Sequence, residues 1–290
     1  MGKTYRMNER LALGAVELTV ADLDRSLAYY TEDIGLRVLT RDADSAHLGV
    51  PGRTLAVVRE RPGAVPPPAS SPGLSHFAPQ VPAPADLARF VTHYTSRYSG
   101  YQLTDHVVAH SCYVFDPDEH CVEVTCARPP DEWRWQNNHP VVVADPLDLR
   151  HFSDEPGADL PFDGLPAETT MGHVQLKVTD PELAATEPFY CGLLGFDVEG
   201  RLGTMFLAVG VTDQHALLVL TNRFSPDGGV PAPENSAHLL GVDLVLPAAD
   251  DIRALAERLS TAGYPHELAA GVLKVRDPSG HLLRFTTSSI

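Results

Sequence analysis

Along this chain, short runs with alternating or β-branched apolar positions take turns with segments whose apolar residues recur every three to four positions. The first kind predicts strands at Ala15 to Val20, Thr54 to Val58, Tyr113 to Phe115, Val122 to Thr125, Val174 to Val178, Ala216 to Leu220, Val242 to Leu246 and Leu282 to Thr286. The second predicts helices at Asp22 to Tyr30, Ala85 to Tyr98, Glu182 to Tyr190 and Asp250 to Ala262. Asp22 and Asp180 stand just ahead of helical pattern, where a side-chain oxygen can satisfy the first free N–H groups. Prolines cluster at Pro62, at Pro66 to Pro68 and at Pro129-Pro130, marking loops between units.

The pattern repeats. Val16-Glu17-Leu18-Thr19-Val20-Ala21-Asp22 leads to Tyr29-Tyr30 and Ile34-Gly35-Leu36. Val174-Gln175-Leu176-Lys177-Val178-Thr179-Asp180 leads in the same register to Phe189-Tyr190 and Leu194-Gly195-Phe196. A second type also occurs twice: His76 to Pro82 followed by Ala85-Asp86-Leu87 matches Val242 to Pro247 followed by Asp250-Asp251-Ile252. Each second-type unit closes with an Asp-Pro turn, at Asp116-Pro117 and Asp277-Pro278, and then a strand. The unit order is therefore one, two, one, two.

The strand-Asp-helix-Tyr-Leu-Gly-Phe unit and its Asp-Pro closing turn resemble the vicinal oxygen chelate superfamily of glyoxalase I, bleomycin-resistance proteins, fosfomycin-resistance enzymes and extradiol dioxygenases. Gly172-His173-Val174-Gln175-Leu176-Lys177-Val178, Asp105-His106, Trp133-Arg134-Trp135 and Asp145-Pro146-Leu147-Asp148-Leu149 resemble its two-domain, catechol-2,3-dioxygenase-like branch. The resemblance implies an α+β fold of four tandem βαβββ modules that pair into two open barrel-like sheets. Modules one and two would form a domain over residues 12–126 and modules three and four another over 171–290, with 127–170 as linker.

In this superfamily a divalent metal sits on the inner face of a paired sheet, held from the first and last strands of the modules. The first-strand ligand position falls on Ala15, His76, His173 and Gly241, and the last-strand position on Glu123 and Arg284. Ala15, Gly241 and Arg284 cannot hold a cation, so the resemblance implies His76, His173 and Glu123 as the metal ligands. That set requires module two to pair with module three. If module one paired with two instead, Glu17, two residues beyond Ala15 and so on the same face, could join His76 and Glu123. His215 falls where an acid–base histidine is found in extradiol enzymes, while Tyr113 and His106 fall where side chains hold substrate or bound oxygen. His110 is expected to line the same pocket. His120, His238 and His281 match no ligand position and are expected on the surface or in loops.

Two imidazoles and one carboxylate form the facial set of non-heme Fe(II) oxygenases, with open positions for a chelating substrate and O2. The resemblance thus implies an extradiol ring-cleaving dioxygenase acting on a small, catechol-like aromatic. Fe(II) is the expected cofactor, with Mn, Zn, Ni or no metal as alternatives. The competing readings are a glyoxalase-like metal-dependent isomerase, lyase or transferase, and a non-catalytic binder of an aromatic molecule.

Composition narrows the partners. Over 290 residues the formal net charge is −16 with no basic run, which disfavours nucleic acid and anionic membranes. No apolar stretch approaches the roughly 20 residues that span a bilayer. Cys112, Cys121, Cys126 and Cys191 show no metal-type spacing and read as buried free thiols of a reducing cytoplasm. A homodimer is left open by analogy with relatives.

Overall fold

The computed structural model describes residues 5–136, 139–180, 183–211, 216–224, 229–230 and 232–287. Module one comprises β1 (Ala12–Val20), α1 (Leu23–Ala28) running into a wide π turn over Tyr29–Asp33, β2 (Arg37–Arg41), β3 (Ser45–Val50) and β4 (Arg53–Glu60). Module two comprises β5 (Gly73–Gln80), α2 (Pro84–Thr95), β6 (Gln102–Asp105), β7 (Ala109–Phe115) and β8 (Cys121–Ala127). The connecting segment carries β9 (Trp135–Gln136), β10 (His139–Pro140), β11 (Asp145–Pro146) and α3 (Leu149–Ser153). Module three has β12 (Thr170–Lys177), a π turn over Pro188–Leu193, β13 (Asp197–Leu202), β14 (Phe206–Gly210) and β15 (Ala216–Thr221). Module four has β16 (Leu239–Val245), α4 (Ala249–Thr261), β17 (His266–Ala269), β18 (Val272–Arg276) and β19 (Leu282–Thr286).

Local chemistry explains these boundaries. Asp22 caps α1 by accepting from the Arg25 N–H at 2.9 Å. Asp180 likewise accepts from the Ala185 and Thr186 N–H groups at 2.7 and 2.9 Å. The continuous helix expected over 182–190 is nonetheless replaced by the Pro188–Leu193 turn, and Glu182 lies outside the described residues. Pro188 has no N–H to give an ongoing helix, which favours its place at the start of the turn.

Apart from β9 and β10, which pair only with each other, the strands of the described residues form two curled sheets. One has the order β17-β18-β19-β16-β1-β4-β3-β2 and the other β11-β6-β7-β8-β5-β12-β15-β14-β13. Module one thus shares a sheet with module four, and module two with module three, which overturns the alternative pairing of one with two. β1 runs antiparallel to β16 with Val16 opposite Val242. Both strands carry long apolar runs: eight of the nine β1 residues are buried, so they are stable only in a sheet interior.

By internal contacts the chain divides into one unit of residues 1–18, 67–75 and 173–290 and another of 19–66 and 76–172. Each has its own staple. In the second unit the fully buried Tyr30 donates its hydroxyl to Asp116 Oδ2 at 2.9 Å. In the first, Tyr190 donates to Asp277 Oδ2, also at 2.9 Å. The Phe/Tyr-Tyr and Asp-Pro motifs are therefore two ends of one buried hydrogen bond.

Two histidines expected at the surface belong to these staples. His120 is buried; its backbone N–H donates to Asp116 Oδ1, and its Nε2–H donates to the Thr19 carbonyl at 2.9 Å. His281 is buried too, with its backbone N–H on Asp277 Oδ1 and its Nδ1 2.9 Å from Asp277 Oδ2. All four cysteines are free, but only Cys112 and Cys126 are fully buried, while Cys121 and Cys191 are half-buried. Burial pushes the Cys112 thiol up to about 12 and the Cys126 thiol to about 11.

Candidate metal centre

β5 and β8 run parallel as neighbours, with Phe77 opposite Val122. Those two apolar side chains are fully buried on one face, so the adjacent His76 and Glu123 project from the other. There the His76 Nε2 lies 3.0 Å from Glu123 Oε2. One ligand atom from each of His76, Glu123 and His173 lies within 4.8 Å of the others. Rigid strand backbone positions all three, which suits a site needing fixed geometry.

The donor set fits a divalent cation. Glu123 is 1% exposed, and a carboxylate so far from water is costly unless a cation compensates it. Two imidazoles and one carboxylate supply one negative charge and leave coordination positions free. Among the described residues, no other cluster of three histidine, cysteine or acidic side chains converges this closely.

Tyr113 on β7 stands directly opposite Glu123 on β8. Its ring meets that of His76 edge-on at 5.3 Å between centroids. His106 Nδ1 contacts the Val143 carbonyl, which can only accept, so the proton is on Nδ1. The other ring nitrogen, Nε2, lies 2.8 Å from the Tyr113 hydroxyl, which is also hydrogen-bonded to the Glu123 carboxylate. The Tyr113 pKa is raised well above that of a free phenol, first by burial and then by the neighbouring Glu123 charge. The phenol therefore stays protonated. The Val143 carbonyl could not be found in the sequence, because any residue type supplies one.

Not every expected residue is here. His215 lies outside the described residues. His110 is three residues from Tyr113 on the same strand, and an odd spacing turns it to the opposite face. It lies 3.1 Å from His151 of α3 and helps line a cavity of about 340 Å³ with Leu87, Cys126, Arg128 and Phe152. Burial, and then the neighbouring His151, lower its pKa.

Glu17 does not supplement the site either. Its carboxylate pairs with Nη1 of Arg284, whose Nε lies 2.5 Å from Asp243 Oδ1. Burial works against the charged guanidinium, but Asp243 and Glu17 more than offset it and hold its pKa above the ordinary value.

A fold of curled sheets built from repeated βαβββ modules, with an inner-face His-Glu-His set, is that of a known superfamily. The chain belongs to the Glyoxalase/Bleomycin resistance protein/Dioxygenase superfamily, whose family model matches residues 12–124 and 170–285. It is 32% identical over 291 aligned positions to the catechol-2,3-dioxygenase of Bacillus subtilis (strain 168), covering 96% of this chain and 98% of that protein. Among solved structures, it resembles a Bacillus subtilis protein provisionally assigned as a dioxygenase, with a TM-score of 0.67 and 13% identity over 97% of this chain and 86% of that one. Glyoxalase I from Zea mays gives a TM-score of 0.55 and 17% identity over 95% and 92% of the two chains. At such identities the structural likeness concerns the fold alone.

Proposed function

We propose that this chain is an extradiol-type dioxygenase that opens the ring of a small catechol-like substrate with O2, using Fe(II) held by His76, Glu123 and His173. The observation that carries the reading is the convergence of these three side chains within 4.8 Å. The 32% identical catechol-2,3-dioxygenase supports the oxygenase over the other chemistries of this fold.

Fe(II) bound at this set supplies Lewis acidity and open positions for two vicinal hydroxyl oxygens and O2. The chain's own contribution is orientation and proton placement. His106, fixed through Val143, holds the Tyr113 hydroxyl in place beside Glu123. The Tyr113 oxygen thereby keeps its lone pairs available to receive a hydrogen bond from a hydroxyl in the site. Protonated at neutral pH, Tyr113 can turn its single proton toward a substrate oxygen on which negative charge develops. The edge-on packing of Tyr113 on His76 fixes the imidazole's orientation.

Elemental mass spectrometry on the purified protein and on Glu123→Ala tests the reading. About one iron per chain in the wild type, lost in the variant, together with O2 consumption on catechol, is the expected result. Zinc, nickel or manganese lost in the same way would replace the oxygenase with a glyoxalase-like reaction. No metal even after anaerobic Fe(II) loading would leave a binding protein.

A further inference from the structure

β12 runs on past His173. Every second residue of a strand shares a face, so His173, Gln175 and Lys177 line one side, while Val174 and Leu176, both fully buried, face the other. Gln175 is held by a hydrogen bond from its amide to Ser75 Oγ at 3.1 Å. Lys177, directly beside Thr221 of β15, is half-buried and donates to the Ala69 carbonyl at 3.2 Å. Among the described residues no charged group acts on it, in a chain with 38 acidic residues against 22 lysines and arginines.

A half-buried lysine whose ammonium meets one neutral acceptor is an unusual choice for a structural position. Its desolvation is compensated only in part, and burial accordingly lowers its pKa. Thr19 holds the matching place in module one without any charge. A site that repeatedly receives an anion would account for the lysine.

We propose that Lys177 is the receptor for an acidic substituent of the substrate, and that the substrate class is a catechol bearing a carboxylate on a short side chain. Four residue steps along the strand lead from His173 to Lys177, a Cα spacing of roughly 13 Å. Shortened by an imidazole at one end and a long flexible amine at the other, that interval suits one aromatic ring and a short acidic arm. The proposal rests on the ring-cleaving reading above, because it assumes that the two hydroxyls are held at the His173 end. The lysine supplies discrimination: it attracts the anion, and a neutral analogue leaves its ammonium unanswered.

The test is calorimetric binding of 3,4-dihydroxyphenylacetate and of 4-methylcatechol to the purified protein, to Lys177→Met and to Lys177→Arg. The wild type is expected to prefer the carboxylate by roughly 10- to 100-fold, as a charge-assisted hydrogen bond gives. In Lys177→Met the ratio of the two affinities should collapse to about one, and Lys177→Arg should restore most of it. Equal affinities in the wild type, a preference that survives in Lys177→Met, or no binding of either compound would each overturn the proposal. Failure of the ring-cleaving reading shows separately, as no O2 consumption by iron-loaded wild type with either compound while the affinity ratio persists.

Discussion

The two sheets carry opposite charge at matching places. In the nine-stranded sheet the last-strand position is Glu123, and the first-strand positions are His76 and His173. In the eight-stranded sheet the last-strand position is Arg284, the first-strand positions are Gly241 and Ala15, and the acids Asp243 and Glu17 stand two residues further along. Where Glu17 sits in module one, module three has the neutral Gln175. A guanidinium bonded covalently to the chain thus does in one sheet what an exchangeable cation is proposed to do in the other. Buried acid on an inner face calls for a cation, and the repeat has met that need in two ways.

Removing the fixed cation should give the largest effect. Arg284→Ala leaves Glu17 and Asp243 facing each other, and losing one partner of a buried ionic set costs about 3–5 kcal/mol. Urea unfolding measures this, and a loss under about 1 kcal/mol would show that the eight-stranded sheet does not depend on its arginine. Reversing the other site sharpens the contrast. Glu123→Gln keeps size but removes charge, so metal content should fall at least tenfold while folding is retained. Metal content equal to wild type would mean that Glu123 is not a ligand.

Smaller effects separate the two tyrosine staples. Tyr30→Phe and Tyr190→Phe each remove one buried hydrogen bond, at about 1–3 kcal/mol. The acids they leave behind titrate in opposite senses. Burial favours a raised Asp277 pKa, but His281 and the Tyr190 hydroxyl together outweigh it and hold the group below its ordinary 3.8, so its contribution is complete above 3.8 and lost as pH falls through the lower, folded value. Asp116 is raised above 3.8 by burial, so its contribution instead declines as pH climbs from 3.8 through its folded value. Acid unfolding of Asp277→Asn should accordingly lose part of the steep limb below pH 4 that Asp116→Asn keeps. The smallest expected change is local: His151→Ala removes one of the causes that lower the His110 pKa, and the His110 NMR titration should move upward.

Much of this was legible in one dimension. Strand periodicity, the Asp caps and the doubled motifs fix which segments pair in type, and His76, Glu123 and His173 fall on separately defined motif positions. Parity alone would also have turned His110 away from Tyr113. Other features needed three dimensions. Glu17 shares a face with a ligand position, but only the sheet order shows that its neighbour is Arg284. His120 and His281 follow exposed-looking Asp-Pro turns, yet those turns fold back onto buried tyrosines. The Val143 carbonyl that orients His106 comes from backbone, which leaves no mark in residue type.

The sheet order also sets a timetable for synthesis. Val16 of β1 is hydrogen-bond neighbour to Val242 of β16, 226 residues later in the chain. At ribosomal rates of about 5–20 residues per second, β1 waits roughly 10–45 s before that partner is made. For that time an almost wholly apolar strand has an open edge, of the kind that captures strands from other chains. The nascent first half is therefore the stage at which chaperone binding or exchange of strands between chains competes with native closure.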